Sequence, residues 1–336
     1  MNPKIRHQIL HIDNVHSMGW TGGIDVTLKS LTTSDLANHY TFEIVSPAQA
    51  LAVCARFKPD AIVVHDASSW KNLPWLWSLS RSAPLLINEH HYCEKFAALN
   101  VPSVARFHWV LKIAYGLAQR VIAISEGQRA WMLRHQLIRE QKVFLIQSSR
   151  ILDTFLTAPL KVRAVAEPFI LGAYGRFIPM KGFDTLIQAV QDLANPLIQL
   201  RIGGAEPEEA NLKQQAHGCD TIQFVGQVDD VPGFLRHYDA VVVPSRWESW
   251  GNVCLEARAA AKPIIAAAVD GLPEQIKDCG RRVRPNDPVA LAHAIQEFYW
   301  TTSAALARMG EMGRNSARFA WENYLHQWQH LLEAVV

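Results

Sequence analysis

Short apolar runs in this chain are continuous rather than alternating, as in Ile9-Leu10-His11-Ile12 and Ala61-Ile62-Val63-Val64. A strand with one wet face alternates apolar and polar residues, whereas a strand covered on both faces does not. Amphipathic stretches of helical length separate the runs. In the first half, strands are expected over 7–13, 41–46, 61–65, 84–88, 120–125 and 142–146, and helices over 24–36, 48–57, 73–80, 104–118 and 127–136. The rhythm lapses over 148–168, a stretch of small residues and two prolines. It restarts with strands over 169–174, 197–202, 221–225, 240–244 and 263–269. Helices are expected over 183–193, 206–216, 231–237, 252–261 and 287–300, with one or two more to 336. Strand–helix alternation of this kind builds parallel sheets with helices on both faces. At about 150 residues per domain, 336 residues suit two such units. The expected fold class is therefore α/β, two doubly wound Rossmann-like domains facing a cleft, with a linker near 155–168.

Composition removes several alternatives. Apolar residues make up 49% and charged residues 19%, which excludes a disordered chain. Lys and Arg number 33 against 31 Asp and Glu, a net charge of +2 that gives no reason to expect nucleic-acid binding. Cys54, Cys93, Cys219, Cys254 and Cys279 stand singly, with no C-x-x-C. Neither a disulfide framework nor a structural zinc site is expected, and a reducing cytoplasm is. Residues 1–14 lack the apolar core of a signal peptide, and no run approaches the roughly 18 apolar residues that span a bilayer. Membrane contact is expected to be peripheral at most, at the inner face. The segment 106–120 is apolar with basic and aromatic edges; it reads first as a buried crossover helix and second as a surface for lipid.

In open parallel sheets the ligand lies beyond the carboxyl ends of the strands, so the residues just after each strand are the candidates. The segment 242–263 runs from a strand through a loop with Glu248 and Gly251 into a helix starting near Asn252, with Glu256 one turn on. Open N–H groups at Asn252 and Val253 suit a phosphate, and a carboxylate can chelate a vicinal diol. For the spacing alone, a loop Glu and a solvated helix Glu would be the plainer account. After the strand at 169–174 comes Gly175-Arg176, then Lys181-Gly182: two cations in a glycine-bounded loop that can grip a diphosphate. Neither a Walker loop nor a G-x-G-x-x-G fingerprint is present. Gly22 and Gly23 precede the first helix and allow close backbone approach. His90, His91 and Glu94 follow one strand and His65 and Asp66 another. These are acceptor-side or sugar-binding candidates, although a lone His is more often structural. Glu89-His90-His91 also has the look of a metal patch, without a third ligand at fixed spacing.

Together these residues resemble the GT-B retaining glycosyltransferases of family four. The resemblance is nearly continuous over 172–274. It includes the G-R-x-x-x-x-K-G loop at 175–182, Gly203-Gly204, Phe224-Val225-Gly226, Pro244-Ser245, the Glu248 and Glu256 pair and Gly271 to Glu274. The first half matches more loosely, through Gly22-Gly23, His90 and Arg120 to Glu126, and Phe319 to Glu322 matches near the end. The resemblance implies an acceptor-side domain over 1–158, a donor domain over 159–316, and a last helix, about 317–336, that returns to the first domain. It implies that Arg176 and Lys181 hold the donor diphosphate and Glu256 the ribose. Glu248 and His90 would meet the transferred sugar, Asn252 and Val253 the phosphate, and Gly22 and Gly23 would let the first domain close on it. The chain departs from the family at Ser148 to Ile151, at Ala261 and at Asp270, the last two standing where Gly is usual.

The implied activity is retaining transfer of a hexosyl group from a nucleotide-sugar to a glycan or lipid-linked acceptor, in cell-surface polysaccharide or glycolipid synthesis. No cofactor and no metal are expected, since two cations and a helix end can balance the leaving diphosphate. The alternatives are a nucleotide-sugar epimerase or phosphorylase on the same fold, or a sugar-nucleotide binding protein without catalysis.

Overall fold

The computed structural model describes residues 6–14, 23–161, 163–164 and 167–336. Its contacts divide the chain into two compact units. One holds residues up to Ile151 together with Trp321–Val336; the other is Leu152–Ala320.

In the N-terminal unit the elements run β1 (His7–Ile12), α1 (Gly23–Thr32), β2 (Tyr40–Val45), α2 (Ala50–Phe57), β3 (Ala61–Val64), α3 (Leu73–Ser80), β4 (Leu85–Glu89), α4 (Glu94–Asn100), α5 (Val104–Leu117), β5 (Arg120–Ala123), α6 (Glu126–Arg134) and β6 (Val143–Leu145). The strands form a six-stranded parallel sheet in the order β2-β1-β3-β4-β5-β6. Every residue of β3 and β4 is buried, the polar Asn88 and Glu89 at the end of β4 included, as in strands covered on both faces. The winding reverses between β1 and β3, which places the ends of these two strands at the switch point. Ser103 and Ser125 start α5 and α6 by accepting hydrogen bonds from Arg106 N and Gln128 N.

The C-terminal unit runs α7 (Asp153–Leu156), β7 (Phe169–Tyr174), α8 (Phe183–Leu193), β8 (Ile198–Gly203), α9 (Glu209–Gln215), β9 (Ile222–Gly226), α10 (Val231–Arg236), β10 (Ala240–Val243), α11 (Asn252–Ala259), β11 (Ile264–Ala267), α12 (Leu272–Gln275), β12 (Gly280–Val283), α13 (Pro288–Trp300) and α14 (Ser303–Ala317). Its parallel sheet has the order β12-β11-β10-β7-β8-β9, with the reversal between β10 and β7. The closing helix α15 (Ala320–Glu333) belongs to the N-terminal unit. Its buried stripe of Tyr324, Trp328, Leu331 and Leu332 repeats at i, i+4, i+7 and i+8 and packs with Ile9, Leu31, Val63 and Leu86.

Several expected boundaries shift. The helix expected over 24–36 stops at Thr32; Ser34 then accepts from Leu36 N and opens a separate 3-10 turn, Asp35–Asn38. The strand expected over 263–269 is Ile264–Ala267. Four of these elements were not expected, α12 among them with only four residues. In α4 only Ala97 is buried, α7 has four residues, and β12 is an edge strand whose Arg281 and Arg282 are exposed, so none shows an apolar period. Helix α5 is not buried all round. Val110, Leu111, Ala114 and Tyr115 face the core, while Trp109 and Ile113 face outward.

Candidate active site

The C-terminal unit gathers the charged candidates at the switch point of its sheet. The loop after β7 carries Arg176 and Lys181, and the loop after the neighbouring β10 carries Glu248. Gly182 lets the two loops touch. Its φ is 64°, and a Cβ there would sit 2.3 Å from Pro244 O. Lys181 Nζ donates to Glu248 Oε2 at 2.5 Å, and Ser245 Oγ reaches the same oxygen at 3.3 Å. The pair is largely shielded, with side-chain exposures of 17% and 14%, so it lies outside the class of weak surface ion pairs. Arg176 is exposed, and among the described residues no ion pair or hydrogen bond engages its guanidinium.

The start of α11 follows directly. Gly251, at φ 92°, precedes it without any side-chain cap, so Asn252 and Val253 open the helix with amide N–H groups that no side chain covers. Glu256 is not the solvated helix residue of the plainer account. It is 5% exposed, and the Tyr174 hydroxyl donates to its Oε2 at 2.6 Å. Asp270 accepts from Glu248 N at 3.1 Å and stands at φ 43°, while Ala261 stands at φ 52° just beyond α11. Both departures from the family's glycines thus occupy left-handed backbone, which is why glycine is usual there.

In the N-terminal unit, His65 follows β3 at the switch point, and His90 and His91 follow the adjacent β4. His65 Nδ1 lies 2.9 Å from His90 Nε2, and His91 Nε2 lies 3.2 Å from His65 O. Burial lowers His90 to about 3 and holds His65 well below the ordinary imidazole range, so both rings are neutral. Burial and the nearby Asp13 raise the Asp66 carboxyl. Glu89 points inward. Its Oε1 accepts from His91 N and Tyr92 N at 3.0 and 3.1 Å, its Oε2 accepts from the Tyr115 hydroxyl at 2.9 Å, and burial raises its pKa. It therefore clamps the histidine turn rather than joining it in a metal patch. Among the described residues no group of three or more His, Cys, Asp or Glu could hold a metal ion. Glu94 lies apart on α4, ion-paired with Arg134 at 2.7 Å. Gly23 is the first residue of α1, and Gly22 lies outside the described residues.

Four residues of these sites were missed in the sequence. Tyr174 ends β7 and reads there as one more apolar strand residue. Arg246 binds the two loops of the C-terminal unit: it donates to Pro179 O and pairs with Asp184 at 2.5 Å. Its place between Ser245 and Glu248 was the available signal. His11 and Gln128 were hidden in a strand and a helix. Gln128 donates to Glu89 O and Tyr92 O at 2.9 and 2.6 Å and so holds the histidine turn from behind.

Two doubly wound units, each with its charged and hydrogen-bonding groups at the carboxyl edge of a parallel sheet, define a Rossmann-like α/β architecture. Residues 6–148 match the profile of Glycosyltransferase Family 4, and residues 159–316 that of Glycosyl transferases group 1. The chain belongs to the group 1, family-four glycosyltransferases. It is 31% identical over 231 residues to D-inositol 3-phosphate glycosyltransferase of Streptomyces avermitilis, covering 61% of this chain and 49% of that protein. The chain thus spans about half the length of that curated relative. Sucrose-phosphate synthase of Thermosynechococcus elongatus has a similar structure, with a TM-score of 0.82 at 21% identity over 98% of this chain and 99% of that one. Anabaena HepE, solved with UDP and glucose, has a TM-score of 0.75 at 21% identity over the same shares. At these identities the likeness establishes the fold, which is GT-B.

Proposed function

We propose that this chain is a retaining, metal-independent glycosyltransferase that moves a hexosyl group from a nucleotide-sugar to a glycan or lipid-linked acceptor, in cell-surface polysaccharide or glycolipid synthesis. The observation that carries this is the Lys181–Glu248 pair beside the uncapped start of α11, at the switch point of the C-terminal sheet. In the pair the ammonium and the carboxylate satisfy each other. An arriving diphosphate takes the ammonium, and Glu248 is released to the hydroxyls of the sugar. Arg176 supplies a second cation and the amides of Asn252 and Val253 bind phosphate oxygens. Glu256, oriented by Tyr174, takes the ribose diol. His90 is assigned to the transferred sugar.

In the reaction the bond from the anomeric carbon to the diphosphate oxygen breaks, and a bond to the acceptor oxygen forms on the same face. The acceptor's proton passes to the departing phosphate. Charge grows on the diphosphate as that bond breaks, where Arg176, Lys181 and the α11 amides stabilise it. The two cations supply the counter-charge, which supports the metal-independent reading. UDP in the Anabaena HepE structure supports a nucleoside diphosphate donor. The free thiols of all five cysteines support a reducing, cytoplasmic setting. Trp109 and Ile113 on the outer face of α5, with Arg106 over the Trp70 ring, support peripheral contact with an anionic lipid surface, readable by vesicle co-sedimentation. No helix of the described residues is long and apolar enough to cross a membrane.

The test is a panel of UDP-, GDP- and ADP-sugars. A donor should raise the melting temperature and release its nucleoside diphosphate with an acceptor, and Lys181→Ala and Glu248→Ala should both abolish release. Full activity in both variants would remove these roles. A changed sugar without an acceptor would mark an epimerase, and tight donor binding without turnover a binding protein.

A further inference from the structure

Three imidazoles form a hydrogen-bonded row from the core of the N-terminal unit to the carboxyl edge of its sheet. His11 lies on β1, His65 just after β3 and His90 just after β4, three neighbouring strands. His11 Nδ1 is 2.9 Å from His65 Nε2, and His65 Nδ1 is 2.9 Å from His90 Nε2. His11 is fully buried, His65 nearly so, and only His90 is partly exposed.

A neutral imidazole has one N–H and one lone pair. Burial lowers His11 as well as His90 to about 3, so the row is neutral at physiological pH. Its protons then have two arrangements: every N–H directed toward the edge, or every N–H directed toward the core. The buried end decides between them. His11 Nε2 is buried and has no hydrogen-bond partner. Besides His65, the rings packed against His11 are Phe42 and Trp328, with centroids 5.7 and 5.9 Å away. Phe42 offers no acceptor, and the Trp328 indole is a donor only. A proton on His11 Nε2 would be a buried N–H facing no acceptor, which leaves the full desolvation penalty of that group uncompensated. On Nδ1 the same proton is used in the bond to His65. That leaves a lone pair at the core end, and orphaned buried acceptors are better tolerated than orphaned buried N–H groups.

We propose that His11 and His65 are positioning residues that fix the tautomer of His90, so that His90 presents its Nδ1–H outward as a hydrogen-bond donor. Each ring carries its proton on Nδ1, and each Nε2 accepts from the ring before it except at the core end. His90 then donates to a sugar hydroxyl or an anionic oxygen and does not serve as a base. The consequence for catalysis rests on the assignment of His90 to the transferred sugar; the tautomer itself does not.

Long-range nitrogen–proton spectra of the full chain, labelled with 15N-histidine at pH 7.5 and assigned through single His variants, read the tautomers directly. The expected result is a protonated Nδ1 and a bare Nε2 on all three rings. A proton on Nε2 of His90, or a doubly protonated ring, overturns the proposal. The kinetic arm uses whichever of UDP-, GDP- and ADP-glucose turns over. His11→Leu removes the first donor of the row and should lower kcat roughly tenfold, about one hydrogen bond, with the donor KM within about twofold. His11→Asn, whose amide nitrogen is as many bonds from Cα as Nδ1, should restore most of the rate. Equal losses in the two variants would make His11 merely structural. If His11→Leu does not fold, the wild-type spectra still decide. An Nδ1–H tautomer with an active His90→Ala would uphold the row and remove His90 from the donor site. The opposite tautomer with an inactive His90→Ala would do the reverse.

Discussion

The Tyr174 hydroxyl meets Glu256 Oε2 at 2.6 Å although the residues are 82 apart in sequence. The bond forms because β7 and β10 are neighbours, so the last residue of one strand faces the first turns of the helix that follows the other. It fixes the carboxylate proposed to hold the ribose. Tyr174→Phe should weaken UDP binding about 10- to 150-fold, since one hydrogen bond to a charged acceptor is worth about 1.5–3 kcal/mol. Glu256→Gln should weaken it further, because the amide accepts from one ribose hydroxyl where the carboxylate takes two. Titration calorimetry with UDP decides the matter, and unchanged affinity in both variants would remove Glu256 from the nucleotide site.

Lys181 and Glu248 form a pair too shielded to be treated as a surface contact. Deleting one charge strands the other beside Ser245 at the loop junction. Lys181→Met and Glu248→Gln should each lower stability, while the double variant should lose less than the sum. The expected coupling is about 1–3 kcal/mol, measured by urea unfolding of all four chains. Additivity within about 0.5 kcal/mol would show that the pair holds no shared energy.

Much of the C-terminal site was legible because its chemistry sits in contiguous strings after strands. Gly175 to Gly182 and Pro244 to Glu256 announce cations, carboxylates and a helix start in order. Contacts that join distant strands were not legible. Tyr174 reads as a strand residue, and only the sheet order shows that its hydroxyl meets Glu256. His11 was read as part of a buried run, and nothing local reveals that β1, β3 and β4 align it with His65 and His90. Three of the 14 histidines thus share one structural account. Trp328 likewise reads locally as one apolar helix position, and only the fold makes it the largest buried ring where α15 joins the first unit's core.

Gly182 and Ala261 show opposite uses of left-handed backbone in one unit. At Gly182 a Cβ would meet Pro244 O at 2.3 Å on top of the strain of φ 64°. Gly182→Ala should therefore cost about 2–4 kcal/mol of stability and separate the loops that hold Lys181 and Glu248. Ala261 already bears that strain, at φ 52°. Ala261→Gly should stabilise the chain by about 1 kcal/mol, the left-handed penalty less the greater freedom of glycine in the unfolded state. Thermal melts of the two variants should move in opposite directions, and a fall in both would contradict the backbone assignment at Ala261.

The buried histidine row makes the N-terminal unit sensitive to acid. His11 is lowered from 6.5 to about 3, as is His90. Between those values the unfolded chain binds protons that the folded chain refuses. The stability tied to the neutral rings is therefore complete above about 6.5 and is lost as pH falls toward 3. Each ring contributes up to about 1.4 kcal/mol per pH unit in that window. Glu89 acts in the opposite sense. Its raised native pKa keeps a proton that the unfolded chain has released, so its effect weakens the fold as pH rises through the carboxylate range toward that raised value. A variant separates the two trends. His11→Phe removes one of the depressed rings and leaves Glu89 in place. The gap in unfolding free energy between wild type and His11→Phe should narrow by about 1.4 kcal/mol for each pH unit below 6.5. Urea midpoints at pH 7.5, 6 and 5 measure the gap. Parallel profiles would show that His11 carries its proton in the folded chain and would refute its neutral, buried state.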